Sequence, residues 1–259
     1  MLSLMHPWIR HVLGLLLAGF FLWLSMRDVD LAQLGSSLAL ISYPLFCLGG
    51  LLSLAVSAVH CTKIIILMAG IRRIRFLSTF SAELVSILVD IVLPMRLQEL
   101  VRAFIIGRSE GLPASRVLGV QVVEKAVELP LLLGLLLLLG TARPLPAWAM
   151  STVYAGLGSV SLVMLVLGFV IAWPVAFERP IRWFGRLGIP GARPVSALMF
   201  EVLTGMRLAS TSVGRFVAIV MITLVEWALL ASALWLAVAA IGVHLGPGEL
   251  LGLLVASFI

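Results

Sequence analysis

The sequence is short of charge. Only 12% of its 259 residues are Asp, Glu, Lys or Arg, about half the roughly 25% of a soluble domain. Lysine occurs only as Lys63 and Lys125, and there are two tyrosines and two cysteines. Cys47 and Cys61 fall in one apolar run. Fourteen residues of helix would hold them about 21 Å apart, too far for a disulfide. They read as inert buried thiols and indicate no redox compartment. G-x-S-x-G, H-E-x-x-H, Walker A and G-x-G-x-x-G patterns are all missing. The four histidines stand far apart at positions 6, 11, 60 and 244, so no metal-ligand cluster is expected, and no cofactor. Nor is there zinc-finger spacing or a basic-aromatic RNA-binding motif, which removes nucleic acid as a partner.

Apolar side chains fill the space that charge leaves. The chain is 62% hydrophobic with a mean hydropathy of +1.18. No water-soluble fold hides this much apolar surface, so lipid must cover it. The expected fold is a single all-α, polytopic transmembrane domain over residues 1–259. Runs near the 20 residues a span needs lie at 11–26, 40–69, 77–93, 116–140, 147–173, 215–242 and 248–259. The first could pass for a signal peptide. No small-residue cleavage pattern follows it in Ser25-Met26-Arg27-Asp28, so it reads as an uncleaved first helix. Trp8, Trp148, Trp173 and Trp183 read as interfacial anchors. The stretch 177–212 carries Arg179, Arg182, Arg186 and Arg193 beside Trp183 and Phe184, as an interfacial segment does, with Pro180, Pro190 and Pro194 breaking it into pieces.

The net charge of +6 reads as topology and as attraction to anionic headgroups. If all the runs cross and the N-terminus is cytoplasmic, five arginines lie inside and eleven outside, which inverts the positive-inside rule. If instead 77–106 dips in and returns to the same face, fourteen lie inside and only Arg27 and Arg143 outside. The charge pattern therefore predicts a re-entrant helical hairpin over 77–106 with its tip near Pro94, about six spanning helices, and a cytoplasmic N-terminus. Backbone of that kind is tolerated at membrane depth only beside protein or a hydrated cavity.

Seven ionisable groups fall within the apolar runs: Lys63, Glu83, Asp90, Glu124, Lys125, Glu128 and Glu226. Facing lipid at about 3 kcal/mol each, they would cost on the order of 20 kcal/mol, beyond the roughly 5–15 kcal/mol that holds an ordinary protein folded. They must pair, protonate or line a hydrated cavity. Glu83 and Asp90 are seven apart and share a helix face; Glu124 and Glu128 share another, with Lys125 about 100° round. Gly49, Ser53 and Ser57 form a small-residue stripe suited to close helix contact. Arg96, Glu99 and Arg102 recur every three residues after Pro94. Two guanidiniums flanking a carboxylate leave a positive cluster shaped to grip phosphate. That set is either an anionic-headgroup site or a salt-bridge network locking the hairpin, and Glu124, Lys125 and Glu128 leave the same choice open. The plain reading of His60 is a helix-contact histidine, of Lys63 a snorkelling side chain, and of Glu226 a protonated structural carboxyl.

Residues 72–140 resemble the transmembrane region of lysylphosphatidylglycerol synthases and their stand-alone, flippase-like relatives. The likeness lies in the basic turn Arg72, Arg73 and Arg75, the pattern Pro94-x-Arg96-x-x-Glu99-x-x-Arg102, the pair Gly111-Leu112, and Val122-Val123-Glu124-Lys125. The family pattern is P-x-R-x-G-E-x-x-R followed by V-x-E-[RK]. Gln98 replaces the usual glycine, Asp90 a common asparagine and Glu128 a usual aspartate. Family members continue past the mid-helix Ser257-Phe258-Ile259, so the chain reads as either a shortened variant or an incomplete one.

The resemblance implies a bacterial inner-membrane protein that translocates a lipid or lipid-linked substrate. Its anionic headgroup would be met by Arg96, Glu99, Arg102, Glu83, Asp90, Glu124, Lys125 and Glu128. The aminoacyl-transferring domain of the synthases is absent, so that activity is not implied. Two other readings stand beside this one: a non-catalytic subunit of a larger membrane complex, and a lipid-carrier transferase or hydrolase. The last lacks an identifiable acid–base pair or metal.

Overall fold

A computed structural model describes residues 39–92, 97–142, 156–162, 173–187, 191–209 and 212–256, with isolated positions 19, 23, 24, 27, 164, 165, 168 and 169. The runs expected at 11–26 and 147–173, the tip at Pro94, and Arg96 lie wholly or largely outside these residues. Among the described residues the elements are helical: α1 (Tyr43–Met68), α2 (Phe76–Val92), α3 (Gln98–Glu110), α4 (Ala114–Ala142), α5 (Pro174–Arg186), α6 (Ala192–Ala209), α7 (Val213–Ala240) and α8 (Pro247–Ala256). Expected and observed ends agree closely for α1, α2, α4 and α7.

Residue pairing fixes how the helices run. On α1 and α7, the Ser42 N–H donates to the Ala240 carbonyl, Gly49 lies against Ala233 and Ala237, and His60 meets Glu226. One residue number rises as the other falls, so the two helices are antiparallel. Gly49 permits the approach, since a Cβ there would sit 3.3 Å from the Ala233 carbonyl oxygen. Ser53 and Ser57 turn their hydroxyls back onto carbonyls of α1 itself. The stripe of small residues is thus the α1–α7 seam.

The same argument makes α2 and α3 an antiparallel hairpin. Arg75 pairs with Glu110, Ser78 with Ser109, and Glu83 with Arg102. At its foot, Gly111 adopts φ of 67° and caps α3 with a hydrogen bond to Gly107, a left-handed conformation that glycine takes without a Cβ clash. Pro113 then stops any continuation, and α4 starts at Ala114. Helix α4 packs against α6 at closer range still. Gly119 abuts the Val202 carbonyl and Gly205 the Arg116 carbonyl, with no room for a Cβ at either.

Segment 177–212 forms two helices, with its break between Leu187 and Gly191. Pro180 lies inside α5 and Pro194 in the first turn of α6, so neither ends a helix. Helix α5 exposes Arg179, Arg182, Arg186 and Trp183, and Arg182 pairs with Glu178 one turn earlier.

The bundle has an apolar core that includes Ile64, Leu67, Ile106 and Val117, and it carries apolar residues on the outside as well. Leu51, Leu77, Leu88, Ile91, Val217 and Met221 are exposed, while Lys63, Glu83, Arg102 and Glu124 are buried. Helices α1 and α7 are long and apolar enough to cross a membrane. Helix α4 is as long, but carries Glu124, Lys125 and Glu128 in its first half. Cys61 is buried, but Cys47, expected to be buried too, is exposed on the apolar surface.

Candidate functional site

Five helices contribute to one polar centre. Lys63 of α1 is fully buried, and its ammonium is surrounded by three carboxylates. Glu226 of α7 lies 2.7 Å away and Glu124 of α4 3.1 Å away; Glu128 of α4 closes the third side. The snorkelling reading of Lys63 is therefore wrong. Its Cα is about 8 Å from the end of α1 along the axis, but turning outward would take the ammonium away from Glu124 and Glu226 and leave Glu128 with Lys125 alone. Glu226, read as a protonated structural carboxyl, instead lies 2.7 Å from the Lys63 ammonium and 2.9 Å from His60 Nδ1, the setting of an ion-paired carboxylate.

One turn before Lys63, His60 extends the centre towards the hairpin. Its Nε2 is 3.4 Å from Glu124 and 3.8 Å from Glu83 of α2. Glu83 is held 2.6 Å from Arg102 Nε of α3, and Arg102 is only 2% exposed. At the other edge, Lys125 reaches Glu128 at 2.9 Å and Glu99 of α3 at 3.9 Å. Lys125 and Glu99 have side chains 44% and 37% exposed, so there the charge network reaches the surface of the bundle. Ligand-type atoms of His60, Glu124 and Glu128 lie within 4.8 Å of one another, and the Lys63 ammonium pairs with two of these groups, Glu124 and Glu128.

Of the residues singled out in the sequence, Glu83, Glu99, Arg102, Glu124, Lys125 and Glu128 join this network. Asp90 does not. It is half-buried and two turns along α2 from Glu83, about 10 Å away, and forms none of these pairs. Glu124 and Glu128 share a face, as their spacing predicts, and Lys125 lies off that face. The residues that sequence reasoning set aside are His60, Lys63 and Glu226. A signal for them existed: five of the seven in-span ionisable groups are acidic, so the two lysines had to be shared among the carboxylates.

Outside the network, the hairpin foot is a second polar cluster. Arg75 Nε donates to Glu110 at 3.2 Å, and Arg72 donates to the Glu110 carbonyl. Burial alone would raise the Glu110 carboxyl. Hydrogen bonds from Ser78 and Arg75, with the Arg75 charge, outweigh it and hold the group below its ordinary range.

A family model described as the lysylphosphatidylglycerol synthase TM region matches residues 11–259, nearly the whole chain. Comparison with curated proteins and with solved structures gives no match.

Proposed function

The chain belongs to the lysylphosphatidylglycerol synthase transmembrane-region family, and from that membership we propose that it is a flippase-like translocase of a lipid or lipid-linked substrate with an anionic headgroup. The protein is integral to the membrane; in our reading that membrane is the bacterial cytoplasmic one, with the N-terminus inside. The α2–α3 hairpin enters and returns to the same face.

One observation carries the proposal. A charge network otherwise buried among apolar helices opens to the surface at Lys125 and Glu99. A headgroup phosphate arriving there would compete with Glu99 for Lys125, with Arg96 just before α3 as a second cation. Arg102 is committed to Glu83, so its contribution is to hold the hairpin rather than to bind cargo. Helix ends at a broken segment add favourable partial charge in such sites.

The test is reconstitution into vesicles carrying fluorescent lipids whose outer-leaflet population can be quenched. The expected result is transbilayer movement of an anionic lipid at least about tenfold faster than in protein-free vesicles. Lys125→Gln should slow it by about tenfold, the effect of losing roughly 1.4 kcal/mol of headgroup attraction. Movement no faster than in empty vesicles would overturn the proposal. It would favour the accessory-subunit reading, in which the saturation of Lys63 and Arg102 by carboxylates is wholly structural.

A further inference from the structure

His60 turns both of its ring nitrogens towards carboxylates. Nδ1 faces Glu226 of α7, and Nε2 faces Glu124 of α4 and Glu83 of α2. The residue is 7% exposed, so water does not stand in for either side. A neutral imidazole has one N–H and one lone pair; an imidazolium has two N–H groups. In either neutral tautomer a lone pair would point at a carboxylate oxygen, a repulsion that a low-dielectric interior does not screen. Only the doubly protonated ring presents a donor to each side.

Charge balance leads to the same state by a separate route. The interior holds the carboxylates of Glu83, Glu124, Glu128 and Glu226 against the cations of Lys63 and Arg102. Lys125 and Glu99 stand together at the rim, with side chains 44% and 37% exposed. Two negative charges are left over inside. An imidazolium at His60 halves an excess that lipid and apolar side chains cannot solvate. The groups facing the ring come from every helix around it: Lys63 on α1, Glu83 on α2, Arg102 on α3, Glu124 on α4 and Glu226 on α7.

We propose that His60 is a proton-binding site at the centre of the bundle, holding one exchangeable proton that ties α1 to α2 and α4. Proton loss converts the Nε2 side from donor to acceptor, or leaves Nδ1 bare before Glu226. The Lys63–Glu226 pair keeps α1 on α7 in both states. Among the described residues the hairpin has no second ion pair to α1 at this level, because Glu83 retains only Arg102 of its own hairpin. The proton thus adds to the apolar packing of Ala82, Ala103 and Ile106 in the core shared with Ile64, Leu67 and Met68, and its loss loosens the docking of the hairpin. Gln121 and Thr223, one turn from Glu124 and Glu226 on their helices, carry buried side-chain atoms with no partner among the described residues.

The test needs no lipid cargo, so its outcome is independent of the translocation assay. The triple variant His6→Gln/His11→Gln/His244→Gln leaves His60 as the sole histidine. Labelled with nitrogen-15 histidine in lipid bilayers at pH 7.5, it is read by solid-state NMR of the ring nitrogens. We expect both ring nitrogens to carry protons, one facing each set of carboxylates. Adding Glu226→Gln removes one negative charge and should return the ring to the neutral form. Glu83→Gln makes the same change on another helix and serves if the first does not fold. A neutral ring in the sole-histidine protein, or a charge state that neither carboxylate substitution moves, would overturn the proposal.

Discussion

The Lys63 network and the Arg75–Glu110 pair use the same chemistry in different surroundings. Lys63 has no exposed surface and three carboxylates; Arg75 has one carboxylate, itself buried, and a side chain 73% exposed. With Arg75 keeping most of its hydration, the pair is screened on one side and yields little beyond the about 0–1 kcal/mol of an exposed one. In the interior no such hydration exists. Neither partner can be removed cheaply, and breaking a buried pair costs about 3–5 kcal/mol. The foot of the hairpin can therefore come and go, whereas the centre forms as a unit.

Substitutions at each end sharpen that contrast, beginning with the largest effect. Lys63→Met should cost at least about 3–5 kcal/mol, because it removes the cation shared by three carboxylates, leaving Glu128 only Lys125 and Glu226 only His60. The expected outcome is loss of monodisperse protein on size exclusion in mild detergent. Arg102→Met should cost about as much by stranding Glu83, but the double variant Arg102→Met/Glu83→Leu removes both charges and should recover most of the loss. A double variant no more stable than the single one in thermal unfolding would show that Glu83 has another essential partner.

Gly205→Ala provides an uncharged reference. Its Cβ would collide with the Arg116 carbonyl, and overpacking of this kind costs about 1–3 kcal/mol, so unfolding should shift measurably but less than for Lys63→Met. The smallest effect belongs to the foot. Glu110 is depressed in the folded state, so its contribution is whole above the unfolded glutamate value of about 4.3 and fades as pH falls through the folded one. Hydrogen exchange at the end of α3 should accelerate only in that acid range, and Arg75→Gln should abolish the change.

Much of the fold was legible because membrane helices announce themselves locally. Apolar length fixed α1 and α7, and the count of arginines on each side pointed to a turn back in the stretch where α2 and α3 run antiparallel. Within the site, Glu124 and Glu128 could be put on one face because helical period is a local property. The role of Lys63 was not legible. Its position near the end of a long helix fits snorkelling as well as burial, and what decides between them is Glu226, 163 residues away. Arg102 shows the same limit: its spacing matched a phosphate grip, but its partner stood on the preceding limb. Spacing says which side chains share a face, but not what the face meets.

The partners of Lys63 also become available at different times during synthesis. Glu128 follows it by 65 residues and Glu226 by 163. At about 5–20 residues per second, the lysine waits on the order of 3–13 s for its first carboxylates and about 8–33 s for its last. Through that interval α1 must reside in or beside the insertion machinery with its charge incompletely matched. Helix α4 is thus the early companion of α1, and α7 closes the assembly when it arrives. A chain halted before α7 would hold Lys63 and His60 on Glu124 alone, without Glu226, the second carboxylate that meets them both.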